Sequence, residues 1–428
     1  MRALILCELF PLVHGTRAIQ MAKVSRALEQ FSTGNGSADD VLLVSGAEPN
    51  RQSEAAAWIA ERADRRECLA YLPERTAPGT AAAASHGLRL AAAHLTRNAP
   101  FVRRARDRVR RIVDEFAPDI LMTVTTPLLW HRVGLAVKKE FPNLPWAAFF
   151  ADPRPLGLLP PPFRRRGPMT TYKAWLCRRV LARADAVIGP NGYMLDWMEQ
   201  RLGVSLSDRR YVIPHCGLPT APDANAESYR SWLLHVGSLA AGQVTLDLLK
   251  AIKAVAQKNP HDFRGLLCVG RVAPSVYQMA ASLGMERYVR SVGRVSPEKA
   301  ASIVAAADAT LLADTPLDVG YFLHSKFADY AVNGRPILMV GPARCPMRDY
   351  LEAHGGGLAV SHRQFEIEQA LERLFVHRDV PCQRNDAAPS NDLTELGRQF
   401  APETIAAHYF RTFDEIVHGT SHRRRQAA

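Results

Sequence analysis

One stretch of the sequence decides the fold class: residues 325–338, which read SKFADYAVNGRPIL. It starts as a helix-compatible segment near Ser325 and ends inside an apolar run at residues 336–340. Upstream of it, helix-compatible stretches separate four further apolar runs, at residues 233–236, 265–269, 289–292 and 309–312. Strands that alternate with helices are typical of a doubly wound unit around a parallel sheet. The second half of the chain is therefore predicted to be α/β.

The first half of the chain shows the same alternation. We interpret as strands the apolar runs at residues 3–9, 41–45, 120–124, 146–150, 186–188 and 211–213. We interpret as helices residues 14–30, 52–66, 80–116 and 172–184, where apolar residues recur at helical spacing. Open α/β sheets bind ligands in loops at the carboxyl ends of their strands. Asp152, in the loop after residues 146–150, is therefore a candidate site residue.

The length of the chain predicts two domains. Its 428 residues exceed the roughly 250–300 at which one hydrophobic core stops growing. Residues 218–229 are rich in Pro, Ala, Asp, Asn and Glu without apolar periodicity, which favours a linker. We expect an N-terminal domain at residues 1–217 and a C-terminal domain at 230–398. A helix at residues 399–418 should pack back on the first domain, before a basic tail at 419–428.

The net charge of +12 lies almost wholly in the first half. Residues 1–217 contain 31 Lys and Arg against 20 Asp and Glu, and the remainder contains 23 against 22. The arginines at positions 103–111 and 164–166 form either a solvated face or a contact with an anionic membrane, and the sequence leaves both interpretations open. Nucleic acid is disfavoured as a partner because aromatic residues do not interleave the arginine runs.

Other features concern the cellular location. No stretch approaches the roughly 20 apolar residues that span a bilayer, and the first apolar run is interrupted by Glu8. The seven cysteines are scattered and form no CxxC pair, so we expect reduced thiols and no metal cluster. These features predict a cytoplasmic protein, with the inner face of the cell membrane as a site of peripheral contact.

The ordered motifs carry a family resemblance. They read VGS at residues 236–238, GRVS at 293–296, AADA at 306–309, the stretch at 325–338, RADAVI at 183–188 and VIPHCG at 212–217. This set resembles family 4 glycosyltransferases, especially their bacterial polysaccharide and lipopolysaccharide branch, along nearly the whole chain. The resemblance implies a GT-B fold, with two Rossmann-like doubly wound domains that face a central cleft.

The resemblance also implies an activity. It indicates transfer of a sugar, with retention of anomeric configuration, from a UDP- or GDP-sugar bound by the C-terminal domain. The acceptor would be the hydroxyl of a glycan or of a lipid-linked or polysaccharide intermediate, reached from the N-terminal domain. We expect no metal and no tightly bound cofactor, since the nucleotide-sugar is the substrate and no Asp-x-Asp stands at a strand end.

Site residues follow by position in these motifs. Asp329 resembles the family's ribose-binding acid, and an ionised carboxylate can accept hydrogen bonds from two vicinal hydroxyls. Lys326 and the helix amides near Ser325 would stabilise the diphosphate leaving group, and Asp152 would orient or deprotonate the acceptor hydroxyl. The expected catalytic residues are Asp152 and Lys326. The expected donor-binding residues are Gly15, Gly237, Ser238, Arg271, Arg294, Ser325, Lys326 and Asp329.

The sequence departs from the family in its cations and acids. Many members have an Arg and a Lys where this chain has Ser238 and Gln243, so either Arg271 or Arg294 assists Lys326 or activity is impaired. Only the second acid of the paired-glutamate motif is kept, as Asp329, and Asp318 is a shifted substitute for the first.

Competing functions differ in how well they fit. A nicotinamide-dependent oxidoreductase is disfavoured because no GxGxxG follows the first strand. A sugar epimerase of the same fold fits residues 325–336 less well, and a non-catalytic GT-B protein that binds a sugar nucleotide or a partner enzyme stays open. Simpler interpretations of single residues also remain: Asp152 as a turn former, Asp329 as a surface acid, and His215 as a packing residue at the domain boundary.

Overall fold

The structure is a computed structural model, and it describes residues 1–8, 16–34, 40–45, 66–68, 83–125, 128–378 and 394–427. The chain divides into two compact units. Residues 1–214 together with 405–428 form unit 1, and residues 215–404 form unit 2.

Unit 1 contains a seven-stranded sheet. Its strands are β1 (Arg2–Leu6), β2 (Asp40–Ser45), β3 (Arg66–Cys68), β4 (Ile120–Val124), β5 (Trp146–Phe149), β6 (Ala186–Gly189) and β7 (Arg210–Val212). Their order is β3-β2-β1-β4-β5-β6-β7, and every neighbouring pair is parallel. Six strands agree with the predicted runs. The sequence did not indicate β3, because Arg66 and Glu67 leave it without an apolar run.

The helices of unit 1 connect these parallel strands. They are α1 (Thr16–Gly34), α2 (Ala83–Phe116), α3 (Leu129–Glu140), α4 (Pro168–Arg183) and α5 (Gly192–Leu202). Met21, Val24 and Leu28 form the buried face of α1, as their spacing predicts. Of the helix predicted at residues 52–66, all but Arg66 lies outside the described residues, and Arg66 begins β3.

Unit 2 contains a six-stranded parallel sheet. Its strands are β8 (Trp232–Val236), β9 (Gly265–Val269), β10 (Val289–Gly293), β11 (Ala309–Ala313), β12 (Ile337–Val340) and β13 (Gly357–Val360), in the order β10-β9-β8-β11-β12-β13. Its helices are α6 (Leu246–Lys258), α7 (Pro274–Ser282), α8 (Pro297–Ala306), α9 (Ser325–Val332), α10 (Pro346–His354), α11 (Gln364–Leu371) and α12 (Glu395–Arg398). The final helix, α13 (Pro402–Ala427), returns to unit 1.

Both faces of the second sheet are covered by apolar layers. Leu233 of β8 packs with Leu248 of α6 on one face, and Leu234 packs with Phe327 of α9 on the other. Successive side chains of a strand point to opposite faces, so a sheet covered on both sides needs continuous apolar runs. This is why the strands were visible in the sequence. The prediction of two Rossmann-like doubly wound units is confirmed.

The segment expected to be a linker, residues 218–229, belongs to unit 2. Asp223 is buried, its backbone N–H donates to Ser302 O at 3.0 Å, and its carboxylate pairs with Lys299. Its polar composition reflects these bonds to α8. The basic tail expected at residues 419–428 continues α13 as far as Ala427. Among the described helices, none combines the length and the apolarity that crossing a bilayer requires.

Candidate active site

The strand order of unit 2 creates a crevice at one edge of its sheet. The order reverses between β8 and β11, the point at which open α/β sheets bind ligands beyond the carboxyl ends of their strands. Gly237 follows β8, Asp314 follows β11, and α9 begins nearby at Ser325. Predicted residues from distant parts of the sequence therefore meet at this switch point.

The central contact of the site joins Lys326 to His235. Lys326 Nζ lies 3.0 Å from His235 Nε2, and His235 Nδ1 lies 3.2 Å from Leu311 O. An ammonium group can only donate, so Nε2 accepts from Lys326 and Nδ1–H donates to Leu311 O. His235 is fully buried and is the last residue but one of β8. It thus fixes the lysine amine beside the end of the central strand.

Burial sets the protonation states of this pair. It lowers the pKa of Lys326 to about 8, against smaller opposing effects from Cys268 and Asp314. Burial also lowers the pKa of His235 well below its ordinary value, and the neighbouring Lys326 lowers it further. At neutral pH the histidine is therefore neutral, and the lysine is mostly charged.

Gly237 lies directly against the lysine. A Cβ built on this residue would lie 3.6 Å from Lys326 Nζ, and its φ of +95° is in the region that favours glycine. Its carbonyl oxygen would lie 2.3 Å from a Cβ on Gly270, so the turns after β8 and β9 pack backbone against backbone. This packing leaves the Gly237 backbone close to the amine.

Tyr330 fastens α9 to the same strand end. Its fully buried hydroxyl accepts a hydrogen bond from Val236 N at 2.9 Å and lies 3.5 Å from Leu311 O. Tyr330 lies one helical turn after Lys326, so this bond holds the first turn of α9 at the switch point. Burial raises the pKa of Tyr330, which keeps its hydroxyl protonated.

An acid that the sequence did not single out acts on the charge of the lysine. Asp314 is buried, and its Oδ1 accepts from Thr315 N at 2.7 Å and lies 3.2 Å from His324 Nε2. Asp318, the expected substitute for the first family acid, is exposed four residues further on. A carboxylate directly after the buried strand β11 was the signal that could have identified Asp314.

Asp329 holds the start of unit 2. Its Oδ1 accepts a hydrogen bond from Leu218 N at 2.9 Å. One turn later, Asn333 Oδ1 accepts from Thr220 N at 3.1 Å, and Asn333 Nδ2 donates to Leu218 O at 3.0 Å. The carboxylate predicted to bind ribose therefore also anchors the chain at residues 218–220.

The remaining donor-site candidates lie at different distances from the lysine. Ser325 is the first residue of α9, after His324, whose side chain makes no capping hydrogen bond. Ser238 is exposed beside Gly237, and Arg271 is exposed after β9, the strand next to β8. Arg294 follows the edge strand β10, a further strand away. Gln243 accepts a hydrogen bond from Ala240 N at 3.0 Å, which closes its own turn.

In unit 1 the candidate acid lies between two arginines. Asp152 Oδ1 is 3.7 Å from Arg17 Nη2, and Asp152 Oδ2 is 3.3 Å from Arg154 Nη2. Two neighbouring cations favour the carboxylate form, which suits Asp152 better for orienting a hydroxyl than for taking up its proton. Gly15, the other candidate in this unit, lies outside the described residues.

His215, interpreted as a packing residue, is buried at the first position of unit 2. Its Nε2 lies 2.9 Å from Leu323 O, two residues before α9. Residues 215–220 therefore contact both ends of the segment that carries Lys326.

Comparison with known proteins agrees with this architecture. The sequence profile described as Glycosyltransferase Family 4 matches residues 59–217, which is less than half of the chain. Sucrose-phosphate synthase from Thermosynechococcus elongatus is 14% identical with a TM-score of 0.59, over 100% of this chain and 98% of its own. HepE from Anabaena, solved in complex with UDP-glucose, is 14% identical with a TM-score of 0.57 over 100% of both chains.

The chain has the GT-B fold, and residues 59–217 of it match the family 4 glycosyltransferase profile. A UDP-N-acetylglucosamine 2-epimerase is also similar, at 13% identity and a TM-score of 0.57 over 99% of this chain and 98% of its own. Identities this low establish the fold only, and this fold hosts more than one reaction. No curated protein matches the sequence at a significant level. The reaction of this GT-B protein must therefore be argued from its own residues.

Proposed function

We propose that this GT-B protein transfers a sugar from a nucleotide-sugar donor to a hydroxyl acceptor, with retention of anomeric configuration. The observation that supports it best is the amine of Lys326, fixed at 3.0 Å from His235 beside Gly237 at the switch point of unit 2. A cation positioned at a switch point, next to a glycine turn and a helix N-terminus, suits a diphosphate.

In the proposed transfer, these residues would stabilise the diphosphate leaving group. Breaking the bond between sugar and phosphate develops negative charge on the diphosphate, and fixed donors stabilise that charge without reorganising. Lys326 would supply the charge, and Ser325 would supply a backbone N–H group. The N–H of Gly237 donates to Val269 O at 2.7 Å, so this glycine would contribute only the close approach that its missing side chain allows. No metal is needed in this scheme, because the ammonium takes the role that a divalent cation plays in other transferases. UDP or GDP is the expected leaving nucleotide, with Asp329 on its ribose and no tightly bound cofactor.

A second cation would replace the Arg and Lys that are common in the family. Arg271 is the better placed of the two candidates, because β9 adjoins β8 whereas Arg294 follows the edge strand β10. Neighbouring strands lie about 4.8 Å apart, so Arg294 begins roughly 10 Å from the strand that carries His235. We therefore propose Arg271 as the second cation on the diphosphate. Arg294 and Ser238 would make weaker contacts with the donor.

The acceptor would be a glycan or lipid-linked intermediate of polysaccharide or lipopolysaccharide synthesis, with its hydroxyl oriented by Asp152. We place the protein in the cytoplasm, in peripheral contact with anionic membrane through unit 1. Support comes from the exposed arginines Arg164, Arg165 and Arg166 and from Trp175, which is 48% exposed with Arg179 stacked on its ring. Basic residues beside an exposed tryptophan suit the interface of an anionic bilayer.

The membrane contact has its own test. Wild-type protein should sediment with vesicles that contain phosphatidylserine, less so at high salt, and the triple variant R164Q/R165Q/R166Q should remain in the supernatant. Indifference of the wild-type protein to lipid charge would rule the contact out.

Donor use is tested without any acceptor. UDP-, GDP- and dTDP-sugars are each titrated in a calorimeter, and slow hydrolysis is followed by release of the nucleotide. Lys326→Ala should lower the hydrolysis rate about 10²–10³-fold, more than it weakens donor binding, because the charge that it meets grows in the transition state. Lys250→Ala, an exposed lysine on α6, is the control. The proposal is refuted if the wild-type protein neither binds nor hydrolyses any of the donors.

A catalytically impaired GT-B protein that binds a sugar nucleotide or a partner enzyme is the second candidate. Ser238 and Gln243 favour it, since neither carries the positive charge common in the family. The Gln243 side chain also accepts a hydrogen bond from Ala240 N within its own turn. This candidate predicts donor binding without hydrolysis or transfer. Titration and nucleotide release, measured on the same samples, therefore separate the two functions.

A further inference from the structure

His324 stands directly before the helix that carries Lys326. It is the N-cap residue of α9, and its side chain makes no capping hydrogen bond to that helix. Phe322 stacks on its ring, with the two ring centroids 6.1 Å apart and the ring planes inclined by 16°. The His324 side chain is 20% exposed, so the ring is mostly enclosed but has an open side. A partly open imidazole thus stands at the start of α9 without serving as its cap.

A buried carboxylate lies against one nitrogen of this ring. Asp314 Oδ1 is 3.2 Å from His324 Nε2, and Thr315 N donates to the same oxygen at 2.7 Å, which fixes the carboxylate. His324 Nε2 is buried and makes no hydrogen bond within the described part of the chain, although this oxygen is within reach. Buried polar atoms nearly always have partners, so we expect the ring to turn slightly and to donate Nε2–H to Asp314 when a ligand holds its other side.

The carboxylate decides which nitrogen of the neutral ring carries the proton. A carboxylate only accepts hydrogen bonds, so Asp314 favours the proton on His324 Nε2. Nδ1 is then left with a lone pair and can only accept. It makes no hydrogen bond to any residue that the structure describes. This nitrogen is therefore suited to a hydroxyl group, which can donate, and not to an ionised phosphate oxygen, which cannot.

Electrostatic effects connect this ring with the donor site. Burial lowers the pKa of Lys326 to about 8, and Asp314 is one of the groups that oppose the lowering. Burial also lowers the pKa of His235, and His324 is among the groups that lower it further. His235 in turn contacts Lys326, at 3.0 Å between Nε2 and Nζ. A ligand hydroxyl that reaches His324 Nδ1 would thus lie beside the diphosphate that is proposed to meet Lys326.

We propose that Nδ1 of His324, with the ring held by Asp314, accepts a hydrogen bond from a hydroxyl of the sugar that is transferred. The sugar is bonded to the diphosphate, so its hydroxyls are the ones that come next to the start of α9. The ribose, in contrast, is proposed to lie at Asp329, more than one helical turn further along α9. Asp314 acts through the ring as a positioning residue. This inference rests on the proposed transferase function and specifies how the donor sugar is recognised.

The test measures affinity for the sugar separately from affinity for the nucleotide. UDP, UDP-glucose, UDP-galactose, UDP-N-acetylglucosamine, GDP and GDP-mannose are each titrated into the full-length protein in a calorimeter. His324→Phe can still stack on Phe322 but cannot accept, so the sugar nucleotide that the wild-type protein binds best should bind about 3–10-fold more weakly. UDP and GDP lack the transferred sugar and should bind this variant as they bind the wild-type protein.

Three further measurements separate a direct contact from a general disturbance of the fold. His324→Asn can place its amide oxygen near the position of Nδ1, so it should lose less affinity than His324→Phe. Monodeoxy forms of the preferred donor identify the hydroxyl: one of them should bind the wild-type protein more weakly than the parent donor does, but should bind His324→Phe equally well. His261→Gln, an exposed histidine before β9, is the control and should match the wild-type protein.

Asp314→Asn tests the positioning role. Its amide oxygen can keep the bond from Thr315 N, but the charge that favours the proton on His324 Nε2 is gone. The variant should bind the preferred sugar nucleotide more weakly, and this loss should be absent when D314N is added to H324F. Nitrogen-15 NMR of histidine-labelled protein should show His324 protonated on Nε2 in the wild-type protein and on either nitrogen in Asp314→Asn.

The outcomes distinguish this inference from the function on which it rests. The contact is overturned if His324→Phe binds the sugar nucleotides like the wild-type protein, if it loses as much affinity for UDP or GDP, or if every deoxy donor loses the same affinity in both proteins. Wild-type protein that binds none of the six compounds refutes the proposed function and this contact together. Thermal unfolding confirms that each variant is folded, and two substitutions of His324 keep the test intact if one of them is not.

Discussion

Raising the pH from 7 to 9 should weaken binding of UDP by about tenfold through a single amine. The pKa of Lys326 is about 8 in the unliganded protein, because burial favours its neutral form. Its charged fraction therefore falls from about 90% at pH 7 to about 10% at pH 9. The expected direction follows from the sign of the shift: the cation that meets the diphosphate is present below pH 8 and is lost above it.

Isothermal titration of UDP at constant ionic strength, in half-unit steps of pH, measures this effect. Lys326→Met removes the amine at similar length, so its affinity should be low and nearly independent of pH in this window. Lys250→Met, on the exposed face of α6, should keep the full dependence of the wild-type protein. The reasoning is refuted if the Lys326→Met variant retains the tenfold change, or if the wild-type protein shows none.

The same substitution has a second readout in stability. The lowered pKa means that the charged amine is disfavoured in the folded protein, so Lys326→Met should raise the free energy of unfolding at pH 7 by about 1–3 kcal/mol. It should also remove a rise in wild-type stability between pH 8 and 10, where the unfolded chain binds the proton that the folded one has released. Urea unfolding at several pH values checks both effects.

Three further substitutions probe contacts of α9, the helix that carries Lys326. His235→Leu removes the acceptor of the Lys326 ammonium, so the midpoint of the pH dependence of UDP binding should move down by about one unit. Tyr330→Phe leaves the backbone N–H of Val236 without its acceptor and should cost about 1–3 kcal/mol in urea unfolding. Gly217→Ala would place a Cβ 2.5 Å from Val332 Cγ1, so its melting temperature should fall, whereas Gly242→Ala, with nothing within 4 Å, should leave it unchanged.

The fold could be predicted because its strands are buried on both faces. Continuous apolar runs identified β4 and β9 to the residue, at Ile120–Val124 and Gly265–Val269. The short strand β3 could not be predicted because it has no apolar run of its own. It is a strand only because it pairs with β2. Polar composition suggested a linker at residues 218–229, but Asp223 and its neighbours are polar because they bond to α8.

The site could be predicted only in part. Motif position suggested Lys326 and Gly237 as donor-site residues, and the structure brings them together, while their roles stay predictions. His235 lies 91 residues from Lys326 in the sequence, and no local pattern marks a histidine inside an apolar strand as the partner of a distant lysine. The order of strands places them side by side. Asp314 could have been suspected from its position directly after β11, but its contact with His324 depends on the path of the loop between them.

The hydrogen bonds between α9 and residues 218–220 determine where unit 2 can be cut from the chain. A fragment that starts at residue 230, as the composition suggests, would leave Asp329 and Asn333 without the backbone groups that they bind. It would also lose His215, whose ring lies 2.9 Å from the carbonyl of Leu323. The helix that carries Lys326 would then lose contacts at both of its ends. A fragment for crystallography or NMR with nucleotide should therefore begin before His215.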